Sequence, residues 1–227
     1  MELSVRLQAV ADMVSKGRRV ADIGCDHGYV SIYLCRQRQC EKVIAMDVKK
    51  GPLERAKANI QRYGLSEYID VRLSDGTKAL HSGEVDTLLM SGMGGRLTIR
   101  ILEEGFAELG HFEELVLQPQ SELFMVRAFL RQQGIQIVDE QMVIDDGKFY
   151  TVIKAQPSAE LSIREAKKYA QIVEDYFGPV LLRKRPEAFV LYLQKEAEKT
   201  KQLLEQVTKQ ERRDELQTYL SYVEEAL

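Results

Sequence analysis

The stretch DIGCDHGY, residues Asp22–Tyr29, follows the apolar pair Val20-Ala21, and the segment Ile44–Asp47 comes about twenty residues after it. In a doubly wound sheet, glycines after the first strand let the backbone approach a ligand, and an acid ending the second strand receives ribose hydroxyls. Asp47 occupies the position of that acid. The stretch therefore predicts a nucleotide-cofactor site at the end of a first β-strand.

The glycines of this loop do not match the dinucleotide fingerprint G-x-G-x-x-G, because Asp26 and Tyr29 stand where its second and third glycines belong. The pattern that remains, D-x-G-x-D-x-G, resembles the acidic-x-G-x-G-x-G loop of class I S-adenosyl-L-methionine methyltransferases, with Asp26 in place of the middle glycine. A carboxylate repels a phosphate, whereas it attracts a sulfonium or an amino group. Asp26 therefore favours a cationic cofactor.

The composition is that of a soluble globular protein, since 227 residues with 44% hydrophobic content can bury a full core and add a small extension. The net charge of -3 predicts that any contact with nucleic acid comes from a local basic patch. Cys25, Cys35 and Cys40 form no CxxC pair, which indicates reduced cytoplasmic thiols and neither a disulfide framework nor a metal site. We expect no export signal and no membrane span, because no apolar stretch approaches about eighteen residues.

Strand-like runs alternate with helical patterns from residue 18 to residue 155, which is typical of βαβ units. The series ends in two β-rich runs, Ile135–Ile144 and Phe149–Ala155, and the Asp-Asp-Gly signal between them predicts a hairpin. A parallel sheet that ends in an antiparallel hairpin is the order expected of the methyltransferase fold. We therefore predict an α/β, Rossmann-like catalytic domain over residues 1–156.

The pattern becomes almost purely helical over residues 157–227, with a stop signal at Gly178-Pro179 and a new element beginning at Pro186. Apolar positions recur from there in a charged background, with a break near Thr208–Glu211, which predicts two antiparallel helices in a coiled-coil hairpin. Its charges are nearly balanced and indicate a solvated face. The three consecutive cations Arg183–Arg185 are the exception and could meet phosphates.

The predicted cofactor site joins the ends of several strand-like runs. Asp47 is expected to hold ribose hydroxyls, although it could instead cap the helix that follows. Asp75 is expected to accept from the adenine amino group, although Asp-Gly is also a turn signal and both roles are compatible. The full predicted cofactor-binding set is Asp22, Gly24, Cys25, Asp26, Gly28, Asp47, Val48, Ser74, Asp75, Gly76, Ser91 and Gly92.

The loop SGMGG, residues 91–95, lacks the Asp/Asn-Pro-Pro-aromatic motif with which many amino-group methyltransferases hold an exocyclic nitrogen. Its glycines expose backbone, which suits a flat base pressed toward a methyl group with Met93 as a packing surface; a flexible turn is the alternative. His27 could point into the substrate pocket or only bond loop carbonyls. The residues predicted for catalysis are Asp26, His27, Tyr29, Met93 and Gly94.

Four features together resemble the bacterial TrmK family over essentially the full chain: SVRL at residues 4–7, ADIGCDHGY at residues 21–29, GMGGR at residues 92–96 and the C-terminal helical hairpin. The resemblance implies a class I methyltransferase domain, S-adenosyl-L-methionine as donor, methylation of N1 of adenine 22 in tRNA, and a coiled-coil domain that helps hold the tRNA. We further expect a monomer or weak dimer. Contacts with tRNA are predicted for Arg6, Arg96, Arg183, Lys184 and Arg185.

The chemistry of adenine N1 sets the expected mechanism. N1 of neutral adenine has a free lone pair, so we expect positioning and exclusion of water to dominate over general-base catalysis. Asp26 could stabilise the cationic product, and the target base must be turned out of its stack or pair. Two alternatives stay open: a methyltransferase of a small molecule or a protein, and a module that binds S-adenosyl-L-methionine or RNA without catalysis.

Overall fold

The computed structural model describes residues 1–38, 40–110, 112–158 and 168–227. The chain divides into two compact units, Met1–Ile163 and Arg164–Leu227. The predicted domain boundary between residues 156 and 157 stays a prediction, because residues 159–167 lie outside the described residues.

The first unit is built on a mixed β-sheet. Its described strands are β1 (Arg19–Ile23), β2 (Lys42–Asp47), β3 (Ile69–Leu73), β4 (Thr87–Met93), β5 (Glu114–Pro119), β6 (Ile135–Asp145) and β7 (Lys148–Pro157). They lie in the order β3-β2-β1-β4-β5-β7-β6, with the first five strands parallel and β7 antiparallel to both of its neighbours. This order confirms the predicted Rossmann-like α/β fold with its terminal hairpin. The strand order reverses between β1 and β4, where such sheets bind ligands.

Helices cover both faces of this sheet. They are α1 (Val5–Met13), α2 (Tyr29–Arg38), α3 (Lys50–Arg62), α4 (Gly95–Leu109) and α5 (Leu123–Gln132). Alternate residues of β2 point to opposite faces: Val43 and Ala45 pack with residues of the first three helices, and Ile44 and Met46 pack with residues of α4 and α5. All four side chains are fully buried, which explains why this strand is an unbroken apolar run.

The terminal hairpin is joined to the rest of the unit by polar contacts. The backbone N–H of Arg6, in the first turn of α1, donates to the Asp145 carboxylate at the end of β6 (3.1 Å). Farther along β6, Arg127 of α5 donates from Nε to Glu140 Oε1 (2.9 Å), and both side chains are buried. The hairpin therefore connects to α1 at one end and to α5 along its length.

The second unit is helical, with described helices α6 (Lys168–Phe177), α7 (Pro179–Lys184), α8 (Glu187–Gln206) and α9 (Gln210–Ala226). The Tyr219 hydroxyl donates to Glu196 (3.1 Å), and the Arg213 guanidinium donates to the Leu204 carbonyl (3.0 Å). Because later residues of α9 meet earlier residues of α8, the two helices are antiparallel. The C-terminal helical pair is confirmed, and its coiled-coil packing stays a prediction.

Candidate active site

The loop between β1 and α2 is a tight turn built on glycines. The backbone N–H groups of Gly24 and Cys25 both donate to the Met46 carbonyl of β2 (2.7 and 2.9 Å). Gly24, Asp26 and Gly28 have φ angles of 77°, 47° and 71°. This left-handed region favours glycine, and aspartate enters it more readily than most other side chains. The loop therefore brings backbone close to the carboxyl edge of the sheet, with the exposed side chain of Asp26 at its tip.

Asp47 at the end of β2 supports this loop from the side. Its Oδ1 accepts from the Lys49 N–H (2.9 Å), and its Oδ2 lies 3.4 Å from the Asp26 nitrogen that donates to it. The residue at the N-cap of α3 is Lys49, so Asp47 itself does not occupy the capping position. Its carboxylate is only half-buried and lies beside the exposed Val48. Its predicted ribose contact stays a prediction.

The carboxyl group of Asp22 lies in a buried environment. Its side chain is buried and accepts a 2.6 Å hydrogen bond from the Ser31 hydroxyl of α2. Burial raises the pKa of Asp22 to about 6, against a partial lowering by the Ser31 hydrogen bonds. Burial also raises the pKa of the neighbouring Cys25 thiol, which is therefore neutral near pH 7.

Asp75, after β3, has two cationic partners. Arg100 Nη2 and Lys78 Nζ each lie 2.9 Å from its carboxylate oxygens. Hydrogen bonds from these two cations hold its pKa at about 2. An adenine amino group would share an acceptor that is already engaged, so the predicted adenine contact of Asp75 stays a prediction. The neighbouring Ser74 and Gly76 form the turn, with the Ser74 hydroxyl donating to the Gly76 carbonyl (2.8 Å).

A cavity of about 280 Å³ opens between the first loop, α1 and the ends of β4 and β5. It brings together predicted residues from the cofactor, catalytic and substrate sets. Its lining consists of Arg6, Leu7, Asp22, Gly24, Cys25, Asp26, His27, Tyr29, Val30, Ser91, Gly92 and Gln120. The predicted residues Gly28, Asp47, Val48, Ser74, Asp75, Gly76, Met93 and Gly94 are described by the structure but do not line this cavity.

The predicted catalytic residues of the first loop form one exposed cluster. The rings of His27 and Tyr29 stack at 5.7 Å between centroids with an interplanar angle of 13°. The Asp26 carboxylate lies 3.5 Å from His27 Nε2 and 3.6 Å from Arg55 Nη2. The His27 carbonyl accepts from Asn59 Nδ2 (3.0 Å). The imidazole therefore faces a carboxylate and an aromatic ring at the mouth of the cavity.

Met93 and the glycines after it fix the end of β4. A Cβ placed on Gly24 would lie 2.3 Å from the Met93 terminal methyl group, so this side chain packs directly on the first loop. A Cβ on Gly95 would lie 2.6 Å from the Ser121 carbonyl oxygen, and Gly95 is buried. The SGMGG loop is therefore held by close packing at Met93 and at Gly95.

Arg6 lies inside the cavity. Its Nη1 donates to Gln118 Oε1 (2.9 Å) and to the Ser91 hydroxyl (3.4 Å), and its guanidinium lies 5.4 Å from the centroid of the Tyr150 ring. The side chain of Arg6 thus already contacts three residues of its own chain. Its predicted phosphate contact stays a prediction.

The other predicted tRNA-contacting residues lie elsewhere. Arg96 is mostly exposed and pairs with Glu122 through an Nε to Oε1 distance of 3.1 Å. In the helical unit, Arg183 and Lys184 are exposed, whereas Arg185 donates to the Ala226 carbonyl at the end of α9 (2.8 Å). Arg185 thus has a structural contact within its own unit.

Two glutamines of this site, Gln118 and Gln120, are missing from the predicted set. They flank Pro119 at the end of the apolar strand β5, which ends at the same sheet edge as β1 and β4. Their position could have identified them, because ligands bind at the carboxyl ends of parallel strands and this rule had already identified the loops after β1 and β4. No group of three or more His, Cys, Asp or Glu side chains is placed to hold a metal ion in the described ranges.

The strand order and the glycine loop at its switch point define a methyltransferase of the Rossmann-like class, and residues 3–153 match the family described as a methyltransferase domain. The chain is 31% identical to the tRNA (adenine(22)-N(1))-methyltransferase of Bacillus subtilis (strain 168), over 92% of this chain and 87% of that protein. The chain belongs to the tRNA (adenine(22)-N(1))-methyltransferase family.

Solved structures agree over the whole length. The crystal structure of the Bacillus subtilis tRNA methyltransferase TrmK matches with a TM-score of 0.86 and 30% identity, covering 99% of this chain and 98% of that one. A Streptococcus pneumoniae protein solved in complex with S-adenosyl-L-methionine matches with a TM-score of 0.88 and 35% identity, covering both chains completely. The resemblance to the TrmK family is confirmed. Within the described residues, no helix has the length and apolar character of a membrane span.

Proposed function

We propose that this protein transfers the methyl group of S-adenosyl-L-methionine to N1 of adenine 22 in tRNA. The observation that carries the proposal is the cavity in which the glycine loop after β1 meets Ser91 and Gly92 of β4. A cofactor loop and a backbone-rich wall suited to a flat base face the same space. The 31% identity to the Bacillus subtilis enzyme covers 92% of this chain and so extends into the C-terminal helices, which favours this function over a small-molecule or protein methyltransferase.

The residues around the first loop fit S-adenosyl-L-methionine. The cofactor carries a sulfonium and an amino group, and the buried Asp22 and the exposed Asp26 offer two carboxylates at the cavity. Asp47 lies beside the same loop for the ribose hydroxyls, with the exposed Val48 and Leu73 as apolar surface for an adenine ring. When bound, the cofactor supplies an electrophilic methyl group.

The protein's own contribution is placement and charge. Adenine N1 needs no general base, so the glycine-walled cavity accelerates the reaction by orienting the base and excluding water. Methylation at N1 makes the base cationic, and the Asp26 carboxylate at the cavity mouth stabilises that charge. The stacked rings of His27 and Tyr29 offer an aromatic surface for a base that has left the RNA stack.

Contacts outside the cavity hold the tRNA. Arg96, Arg183 and Lys184 are exposed cations and suit phosphates. We propose that the helical domain, residues 157–227, binds tRNA. We further propose that the enzyme is cytoplasmic and that it is a monomer or weak dimer.

The test is methyl transfer to tRNA from a strain that lacks this protein, followed by mass spectrometry of the nucleosides. We expect 1-methyladenosine, and none when adenine 22 is replaced by uracil in a transcript. Methylation that survives this replacement would assign another position. No methylation, with the cofactor bound, would shift the function to another substrate or to binding alone.

A further inference from the structure

The side chain of Gln120 reaches the cavity from the loop after β5. Its backbone N–H donates to the Met93 carbonyl (2.8 Å), which fixes the loop against the end of β4. A Cβ placed on Gly92 would lie 3.7 Å from Gln120 Nε2. Because Gly92 has no side chain, the amide of Gln120 is open to the cavity beside the predicted base-binding wall.

Most polar side chains of this lining already have partners within the protein. Arg6 and Ser91 both bond the amide oxygen of Gln118, and Asp22 accepts from a hydroxyl of α2. By contrast, the side-chain amide of Gln120 makes no hydrogen bond in the part of the chain that the structure describes, and the residue is exposed. Gln120 is therefore available to a ligand.

A carboxamide presents a donor and an acceptor side by side in one plane. Adenine presents the complementary pair on its Hoogsteen edge, where a glutamine can donate to N7 and accept from N6. We propose that Gln120 recognises the target adenine through this pair of hydrogen bonds. N1 lies on the other side of the amino group and stays free for the methyl group. The inference rests on the proposed function and adds the residue that selects the base.

The same geometry distinguishes adenine from guanine. Guanine presents two acceptors, O6 and N7, at this edge. The amide oxygen of Gln120 would then face O6 with no proton between them, and two acceptors that face each other without a donor weaken binding. Gln120 therefore selects adenine by a favourable contact and by a repulsive one.

The test combines a protein change with a base change. Transcripts carry adenosine or 7-deazaadenosine, in which a CH group replaces N7, at position 22. We expect Gln120→Ala to lower kcat/KM on the adenosine transcript about 10- to 100-fold. When 7-deazaadenosine replaces adenosine, we expect kcat/KM of the wild type to fall about 10-fold. The same replacement should lower kcat/KM of Gln120→Ala at most about twofold, because this variant has no amide to contact N7.

Gln136→Ala is the matched control, since Gln136 is exposed at the start of β6, where it pairs with Gln156. It should behave as the wild type on both transcripts, and Gln120→Ala should bind S-adenosyl-L-methionine normally. Additive losses, or full activity of Gln120→Ala, would overturn the role of Gln120. Absence of 1-methyladenosine from the wild type on the adenosine transcript would overturn the proposed function instead.

Discussion

Arg6 Nη1 lies 2.9 Å from Gln118 Oε1, which joins the first helix of the chain to the end of the buried strand β5. Gln118 is buried, so its amide oxygen depends on this donor and on the Ser91 hydroxyl for its hydrogen bonds. An unpaired buried acceptor costs about 1 to 3 kcal/mol. The pair therefore fixes one wall of the cavity.

Arg6→Ala is expected to lower kcat/KM for tRNA about 10- to 100-fold through the loss of this wall. The salt dependence of tRNA binding tests the predicted phosphate contact of Arg6, because a role confined to the cavity wall leaves that dependence as in the wild type. Filter binding over a series of salt concentrations measures it. A shallower slope would support the phosphate contact instead. Arg18→Ala, at the start of the sheet beside Glu113, is the control.

Asp26→Asn removes a charge and keeps the backbone, because asparagine tolerates the φ of 47° that Asp26 adopts. We expect kcat to fall about 10-fold, equivalent to about 1.4 kcal/mol of lost charge stabilisation. Single-turnover methylation of tRNA measures this effect. Asp146→Asn, at a φ of 49° in the exposed hairpin turn, is the control. If turnover and cofactor affinity both survive in Asp26→Asn, Asp26 has neither role.

Asp22 links stability to pH. Burial raises its pKa from 3.8 to about 6, so the folded protein holds this proton more tightly than the unfolded chain does. Its contribution to the free energy of unfolding therefore decreases as the pH rises from about 4 to about 6. In the wild type this group should lower the free energy of unfolding by about 2 to 3 kcal/mol between pH 4 and pH 7, and in Asp22→Asn this loss should be absent. Urea unfolding near pH 4 and near pH 7 measures the difference. Equal pH dependence in both proteins would contradict the assignment.

The charged form of Asp22 is also the form that attracts a cofactor amino group. We expect the affinity of the wild type for S-adenosyl-L-methionine to fall as the pH drops below about 6. The affinity of Asp22→Asn should be lower at neutral pH and nearly constant over the same range. Calorimetric titration at several pH values gives both curves.

The variants Gly95→Ala and Gly94→Ala test whether the SGMGG loop is closely packed or is a flexible turn. The new methyl group of Gly95→Ala would lie 2.6 Å from the Ser121 carbonyl oxygen, so backbone must move. In Gly94→Ala the nearest atom is the Ser121 hydroxyl at 3.3 Å, which can rotate away. We expect a loss of about 1 to 3 kcal/mol of stability for Gly95→Ala and less for Gly94→Ala, by thermal unfolding. Equal losses would favour the flexible-turn alternative.

Local pattern was enough to predict the sheet and its ligand edge. Each apolar strand ends in small or acidic residues, and the sheet brings those ends to one side, as at Gly24 and Ser91. The same rule applied to β5 would also have predicted Gln118 and Gln120 as site residues. The hairpin followed from the Asp-Asp-Gly signal between two β-rich runs.

Contacts between distant side chains had no local signal. Arg6 and Gln118 are 112 residues apart in sequence, and nothing in either neighbourhood indicates that one binds the other. Asp75 looked like a free acceptor, because Arg100 reaches it only after α4 packs beside the β3 turn. Residue type and spacing thus identified the site, whereas the partners of its charged groups depend on tertiary packing.

The anchoring of α1 on the terminal hairpin has a consequence for synthesis on the ribosome. Arg6 meets Asp145 through its backbone and Tyr150 through its guanidinium, so one wall of the cavity requires both ends of the first unit. The glycine loop and Asp47, by contrast, belong to its first fifty or so residues. Because chains emerge from the amino terminus, a nascent chain has the cofactor loop long before the base pocket. The complete cavity therefore forms only after the last hairpin of the first unit has been translated.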